Sequence, residues 1–324
     1  MLHRRRFLAA LAATGTTLGA RVSRAVEPGM LRIGYQKNGI LAVAREQAAI
    51  EAALKPQGVG VRWVEFSFGP PLLEALSLGA IDFGQTGDAP PIFAQAAGAG
   101  LVYAAAQPGG GSGSAILLPK GSTVATLADL KGKRVAFAKG SSAHNLTVAA
   151  LEKAGLSYRD ITPVLLAPAD GAAAFAGGTI DAWTVWDPYF AIAEEGGGAR
   201  ILAQAPDITP TNNFFLANGD FVRARPEVLN AALAALGAVA VWCEANRGSV
   251  AASLSKVTGV PLPATRRAVE RIRFVIAPMD AAVTAEQQRI ADRFHALGVI
   301  PRPVRVSDIV RAPAAAPDKP RNDG

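Results

Sequence analysis

Cysteine occurs once in the 324 residues and histidine three times. The single cysteine, Cys243, closes no intrachain disulfide, so core packing must hold the fold. His3, His144 and His295 are scattered and Cys243 has no partner, so no metal centre is expected. Nucleophile signatures are also lacking. Ser141 and Ser142 lie outside any Gly-x-Ser-x-Gly elbow, and His144, within one turn of both, has poor spacing for a triad. Lys139-Gly140-Ser141 has the order that ends a phosphate loop, without the upstream glycine that motif needs. The glycine run at 108–114, PGGGSGS, lacks the strand–helix setting of a dinucleotide fingerprint. No cofactor is expected.

Charge is present in excess of one sign. Thirty-three Lys and Arg against 26 Asp and Glu give +7. A basic chain invites a nucleic-acid or membrane partner. The distribution removes that reading, because residues 1–25, MLHRRRFLAALAATGTTLGARVSRA, hold five arginines and no acid. Their basic start, short apolar stretch and small-residue end (Ser23, Ala25) read as an export signal cleaved after Ala25. Arg4-Arg5-Arg6-Phe7-Leu8 fits the twin-arginine pattern, and the expected address is the periplasm. Without the signal the charge is +7 − 5 = +2, so no nucleic-acid partner is expected. The apolar stretch of the signal is too short for a membrane span, and no other stretch is expected to approach one.

What remains alternates between strand-like and helix-like segments. Leu31–Tyr35, Val61–Phe66, Ile81–Phe83 and Leu101–Ala105 read as strands. Between them, helices are expected over 41–54, 69–78 and from Pro90 onward, with Pro56, Gly58 and Gly79 as stops. PGGGSGS reads as a crossing. The rhythm then restarts with strands at 116–118, 134–138, 162–166, 180–183 and 201–202, and helices at 143–153, 170–176 and 188–195. After about Asn213 the pattern is mainly helical, and 311–324 reads as a disordered Pro/Ala-rich tail. This order predicts an α/β fold with mostly parallel sheets flanked by helices.

Two short stretches echo one another. LSLGAIDFGQTGDAPP carries Gly-x-Ile-Asp, with Asp82 followed six residues later by Asp88. FAGGTIDAWTVWDPYF repeats this with Asp181 and Asp187, 99 residues on. The echo predicts two lobes of one plan, with a ligand cleft beyond their strand ends. Several turns there are rich in neutral donors. In FAKGSSAHN, Gly140 permits a sharp turn, and Ser141 or Ser142 can cap the next helix. His144 and Asn145 follow. Unpaired amides at a helix start favour an anion. Thr86, Gly87 and Asp88 form the matching turn, Gln36 sits in a third, and Trp186 beside Asp187 is placed to wall a pocket.

The stretches LRIGYQK, WVEF, TGDAPPIFAQAAGAGLVY, DLKGKRVAFAKGSSAHNL and IDAWTVWDPY, in this order and spacing, resemble the periplasmic aliphatic sulfonate-binding proteins of ABC importers. These belong to a wider nitrate, sulfonate and taurine solute-binding group. The resemblance covers about residues 30–310. It implies a two-lobe periplasmic binding protein of type II, with lobe 1 from 30–113 plus 213–310 and lobe 2 from 114–212. It also implies a monomer that holds a sulfonate and delivers it to a membrane permease, with no catalysis. The implied ligand-binding residues are Gln36, Thr86, Gly87, Asp88, Ser141, Ser142, His144, Asn145, Trp186 and Asp187. Alternatives are a receptor for taurine or nitrate, or a carbon–sulfur bond-cleaving enzyme on the same fold. One desulfinating relative uses a cleft cysteine, whereas Cys243 lies in a late helical segment.

Overall fold

The structure, a computed structural model, describes residues 29–109 and 112–311. The expected export signal, and all of the expected tail but Arg311, lie outside these residues. The chain begins with β1 (Met30–Tyr35), α1 (Gly39–Glu46), α2 (Ala49–Leu54), β2 (Gly60–Glu65), α3 (Gly69–Ser77), β3 (Phe83–Thr86), α4 (Ala89–Ala96) and β4 (Leu101–Gln107). It continues with β5 (Ser114–Pro119), β6 (Arg134–Phe137), α5 (Ser142–Lys153), β7 (Thr162–Leu165), α6 (Pro168–Ala176), β8 (Ala182–Trp186), α7 (Tyr189–Glu195) and β9 (Ala199–Gln204). It then closes with β10 (Asn213–Asn218) and five helices, α8 (Gly219–Ala224), α9 (Pro226–Ala245), α10 (Arg247–Thr258), α11 (Leu262–Arg271) and α12 (Ala281–Ala296).

Two five-stranded sheets result, ordered β2-β1-β3-β10-β4 and β7-β6-β8-β5-β9. Within each, β1 or β6 pairs in parallel with two neighbours. A single strand runs against the rest, β10 in the first sheet and β5 in the second. These reversed strands are the first after each crossing between the sheets. Mostly parallel sheets in two lobes are therefore what the chain forms.

The echo has a structural counterpart. Asp82 accepts hydrogen bonds from the Arg32 backbone N–H at 2.8 Å, Nε at 2.9 Å and Nη2 at 2.5 Å. Asp181 accepts from the same three atoms of Arg134 at 2.8, 3.2 and 3.0 Å. Asp82 thus ties the segment leading into β3 to β1, and Asp181 ties the segment leading into β8 to β6. The second aspartates also match. Asp88 caps α4 by accepting from Ala89 N at 2.7 Å, and Asp187 accepts from Ala191 N in α7 at 3.0 Å.

Two local expectations fail. The helix expected over 41–54 is split, because Ala48 turns left-handed at φ 48°. No glycine or proline marks this break, which costs a residue with a Cβ about 1–2 kcal/mol. α2, redirected there, packs Ile50 and Leu54 into one core with Leu229, Leu236 and Val239 of α9. The second failure concerns α9 itself, which spans 20 residues at mean hydropathy 1.7 and is long and apolar enough to cross a membrane by length and composition. Its apolar side belongs instead to the core on one face of the first sheet, with Leu31, Ile33 and Phe215. The other face packs against α3, α4 and α12 through Leu72, Ile92, Phe214 and Phe294.

Candidate functional site

A cavity of about 150 Å³ lies between the lobes, beyond the carboxyl ends of β1, β3, β6 and β8. Parallel strands place their following loops on one edge, so the turns after them converge there. Gln36, Thr86, Gly87, Ser141, Ser142, Trp186 and Asp187 all line this cavity. Asp88, His144 and Asn145 do not line it.

The donors are distributed unequally. In the first lobe, α4 opens Ala89-Pro90-Pro91, and the two prolines carry no N–H. Ala89 N is taken by Asp88, and Asp88 N donates to Ser142 Oγ at 3.2 Å. Thr86 Oγ1 donates to Gly87 O at 3.1 Å. In the second lobe, α5 runs 12 residues with no acid in its first turn. The expected serine cap is absent, because Ser141 Oγ donates to Ala138 O at 2.7 Å instead. The Ser142 and Ala143 amides of α5 are therefore not met by a capping side chain, and they carry the positive end of its dipole. The turns at α4 and α5 are therefore not equivalent, which corrects the expectation of two matching turns, and the first lobe's uncapped helix start at the cavity is that of α1 instead.

Gly87 and Ser142 meet at the narrowest point between the lobes. A Cβ on Gly87 would stand 2.0 Å from Ser142 Oγ. Only glycine permits that approach. Gln36 Nε2 donates to Gln85 O at 3.2 Å, and Asn38 Nδ2 crosses to Asp187 O at 3.0 Å.

The three residues off the cavity form a separate contact between lobes. Asn145 Nδ2 donates to Asp88 Oδ2 at 2.8 Å, and Arg293 Nη1 of α12 donates to Asn145 Oδ1 at 2.8 Å. Burial pushes the Asp88 carboxyl up, against hydrogen bonds from Ser142 and Asn145. His144 stacks on Phe137 at 4.9 Å and reaches Phe294 at 5.1 Å and Phe93 at 6.0 Å across the lobe boundary. Its Nδ1 accepts from Gly140 N at 3.3 Å. Burial, helped by the charge of Lys139, pushes His144 down to about 4. A neutral, ring-packed histidine serves packing rather than proton transfer.

Asp187 is gripped from the other side. Arg271 Nη1 lies 3.3 and 3.4 Å from its two carboxylate oxygens, and Arg271 Nη2 bonds Glu194. Burial raises the Asp187 carboxyl to about 6 despite Arg271. Each lobe's second aspartate thus caps its own helix and also engages the opposite lobe.

Sequence reading missed Gln107, Asn212, Asn213 and the residues of α10 and α11 that line the cavity. Asn212 precedes β10 and Asn213 opens it, so they mirror the crossing at Gly113-Ser114, a signal that two crossings would have given. α10 and α11 left no comparable signal. His295 is exposed on α12. Cys243 is buried in α9, and burial pushes its thiol up to about 12. Among the described residues no cluster of His, Cys, Asp or Glu could hold a metal ion.

The family model described as NMT1/THI5 like matches residues 54–246. The putative aliphatic sulfonates-binding protein of Escherichia coli (strain K12) is 41% identical over 288 residues, 88% of this chain and 90% of that protein. The alkanesulfonate-binding protein SsuA from Xanthomonas axonopodis pv. citri, solved bound to MOPS, superposes with a TM-score of 0.83 at 41% identity, covering 89% of this chain and 99% of that one. The periplasmic aliphatic sulphonate binding protein SsuA from Escherichia coli gives 0.80 at 39% identity, covering 90% and 95%. These relatives are binding proteins, and with the model's match over more than half its length the chain belongs to the NMT1/THI5-like family.

Proposed function

We propose that this chain is a periplasmic receptor that binds aliphatic sulfonates between its lobes and presents them, as a monomer, to the permease of an ABC importer. The observation that carries the reading is the interlobe cavity onto which the uncapped start of α5, with no acid in its first turn, opens. A sulfonate is anionic at physiological pH and its three oxygens only accept hydrogen bonds. The α5 amides and the Gln36 amide are neutral donors suited to it. Each hydrogen bond to a charged group contributes roughly 1.5–3 kcal/mol. Three of them contribute about 4.5–9 kcal/mol, which with tail burial reaches the −8 kcal/mol or so of a micromolar complex before the cost of lobe closure.

Asp187 and Trp186 wall the cavity, whereas Asp88, His144 and Asn145 serve the lobe contact. The buried, unreactive thiol in α9 supports binding without catalysis. The test is a titration of the mature protein with alkanesulfonates, taurine, sulfate and nitrate, read by tryptophan fluorescence, since Trp186 lines the cavity. Saturable quenching or enhancement by alkanesulfonates is expected. Response to nitrate alone, or none to any sulfonate, rejects the assignment.

A further inference from the structure

Among the described residues that line the cavity, two carry charge, Lys37 from the first lobe and Asp187 from the second. The Asp187 carboxylate is already met by Arg271 Nη1 at 3.3 and 3.4 Å. Lys37 is placed differently. It follows β1 in the same turn as Gln36, and its side chain is 52% exposed, so it belongs to the cavity and to the solvent at once. Its Nζ lies 3.4 Å from Glu65 Oε1 at the end of β2, and the Glu65 side chain is 47% exposed. We propose that Lys37 is the capture residue of the cleft, an ammonium at the rim that draws the anion in and speeds association, while the neutral donors inside hold it. The inference rests on the sulfonate reading of the cavity.

The pair between Lys37 and Glu65 is unequal at its two ends. Glu65 is fixed to β1, because the buried Tyr35 Oη donates to its Oε2 at 3.0 Å and itself accepts from Arg45 Nη1 at 2.7 Å. The Lys37 end is a long flexible stem. An exposed ion pair gains little, since water screens it and two side chains lose freedom in making it. The ammonium is therefore parked on Glu65 rather than locked there, and it can turn toward an anion arriving beside Gln36. A unit-charge pair at 4 Å in water is worth a factor of about five in population at room temperature. Charge at the rim of a site changes the rate of association and its salt dependence, whereas buried contacts set the rate of escape. Deeper in the cavity the Asp187 carboxylate repels an anion and Arg271 offsets it locally. Lys37 tips that balance toward attraction.

The test is stopped-flow tryptophan fluorescence of the mature protein mixed with ethanesulfonate below saturation. It is run at about 10 mM and about 1 M salt, where the screening length falls from roughly 30 to roughly 3 Å. At the lower salt, Lys37→Gln is expected to slow association about fivefold and to leave the dissociation rate within about twofold of native. At the higher salt the two proteins are expected to converge. Lys37→Arg, which keeps the charge, is expected to associate within about twofold of native. Glu65→Gln keeps an acceptor for Tyr35 Oη and removes the opposing charge, so it is expected to speed association about twofold. Lys120→Gln removes an equal charge just past the far end of β5, about 20 Å along the strand from Ser114 at the cavity, and is expected to leave the rate unchanged. Association of Lys37→Gln at the native rate in low salt overturns the capture role and leaves the sulfonate reading intact. So does a loss that falls on the dissociation rate, or one that Lys120→Gln shares. Absence of ethanesulfonate binding by the native protein overturns both.

Discussion

Replacing Gly87 by alanine should act on lobe closure. The new methyl carbon would stand 2.0 Å from Ser142 Oγ, 3.2 Å from Ser142 Cβ and 3.5 Å from Asn213 Oδ1. Rotating the Ser142 hydroxyl away removes the first overlap. It also breaks the bond from Asp88 N, leaving a buried N–H without a partner, which costs about 1–3 kcal/mol. The 3.2 Å approach to Cβ then still presses the lobes apart. The clash exists only where the lobes meet, so the cost falls on the closed state and lowers the apparent affinity by the same factor. Calorimetric titration with ethanesulfonate should show about 5- to 150-fold weaker binding. Ser142→Ala removes the oxygen that is struck. The double variant should therefore be less impaired than the sum of the two singles by roughly 1 kcal/mol. A Gly87→Ala affinity within twofold of native, or effects that add within about 0.5 kcal/mol, would refute the argument.

Three further outcomes follow from burial and pairing. His144 sits at about 4 in the folded protein against an ordinary 6.5, so the unfolded chain binds the extra proton; stability is complete above 6.5 and drains as pH falls toward 4. Urea unfolding at pH 7.5 and 4.5 should show native protein losing about 2 kcal/mol that His144→Phe does not lose. Asp187, raised to about 6, works with the opposite sign below that pH, so the difference between the two proteins, not the native curve alone, is the readout. Asp82→Ala removes the carboxylate that meets three N–H groups of buried Arg32 and should cost about 3–5 kcal/mol in urea, whereas Asp181→Ala, beside a half-exposed Arg134, should cost about 1 kcal/mol or less. Equal losses at the two sites would contradict the burial argument. Finally, Cys243 should resist thiol reagents at pH 8 until urea is added, and Cys243→Ala should bind ethanesulfonate like the native chain, since the thiol is buried and pushed up to about 12.

The alternation of strands and helices, the two lobes and the convergence of Gln36, Thr86, Ser142 and Trp186 were legible in the sequence. They follow from local periodicity and from parallel strands sharing one carboxyl edge. The short Gly-x-Ile-Asp echo was legible too, and it proved to be the same arginine clamp built twice. The two prolines that strip α4 of donors were also in plain view, but their consequence depends on Ser142 arriving from the other lobe to take Asp88 N. Only the tertiary structure turned His144 and Asn145 away from the cavity. Successive residues of a helix start point in different directions, and the partner that each meets comes from another lobe. The same holds for α11, some 80 residues beyond Trp186, which reaches the cavity because α10 and α7 hold it there. A sequence displays the face a segment offers; the fold decides what distant surface covers it.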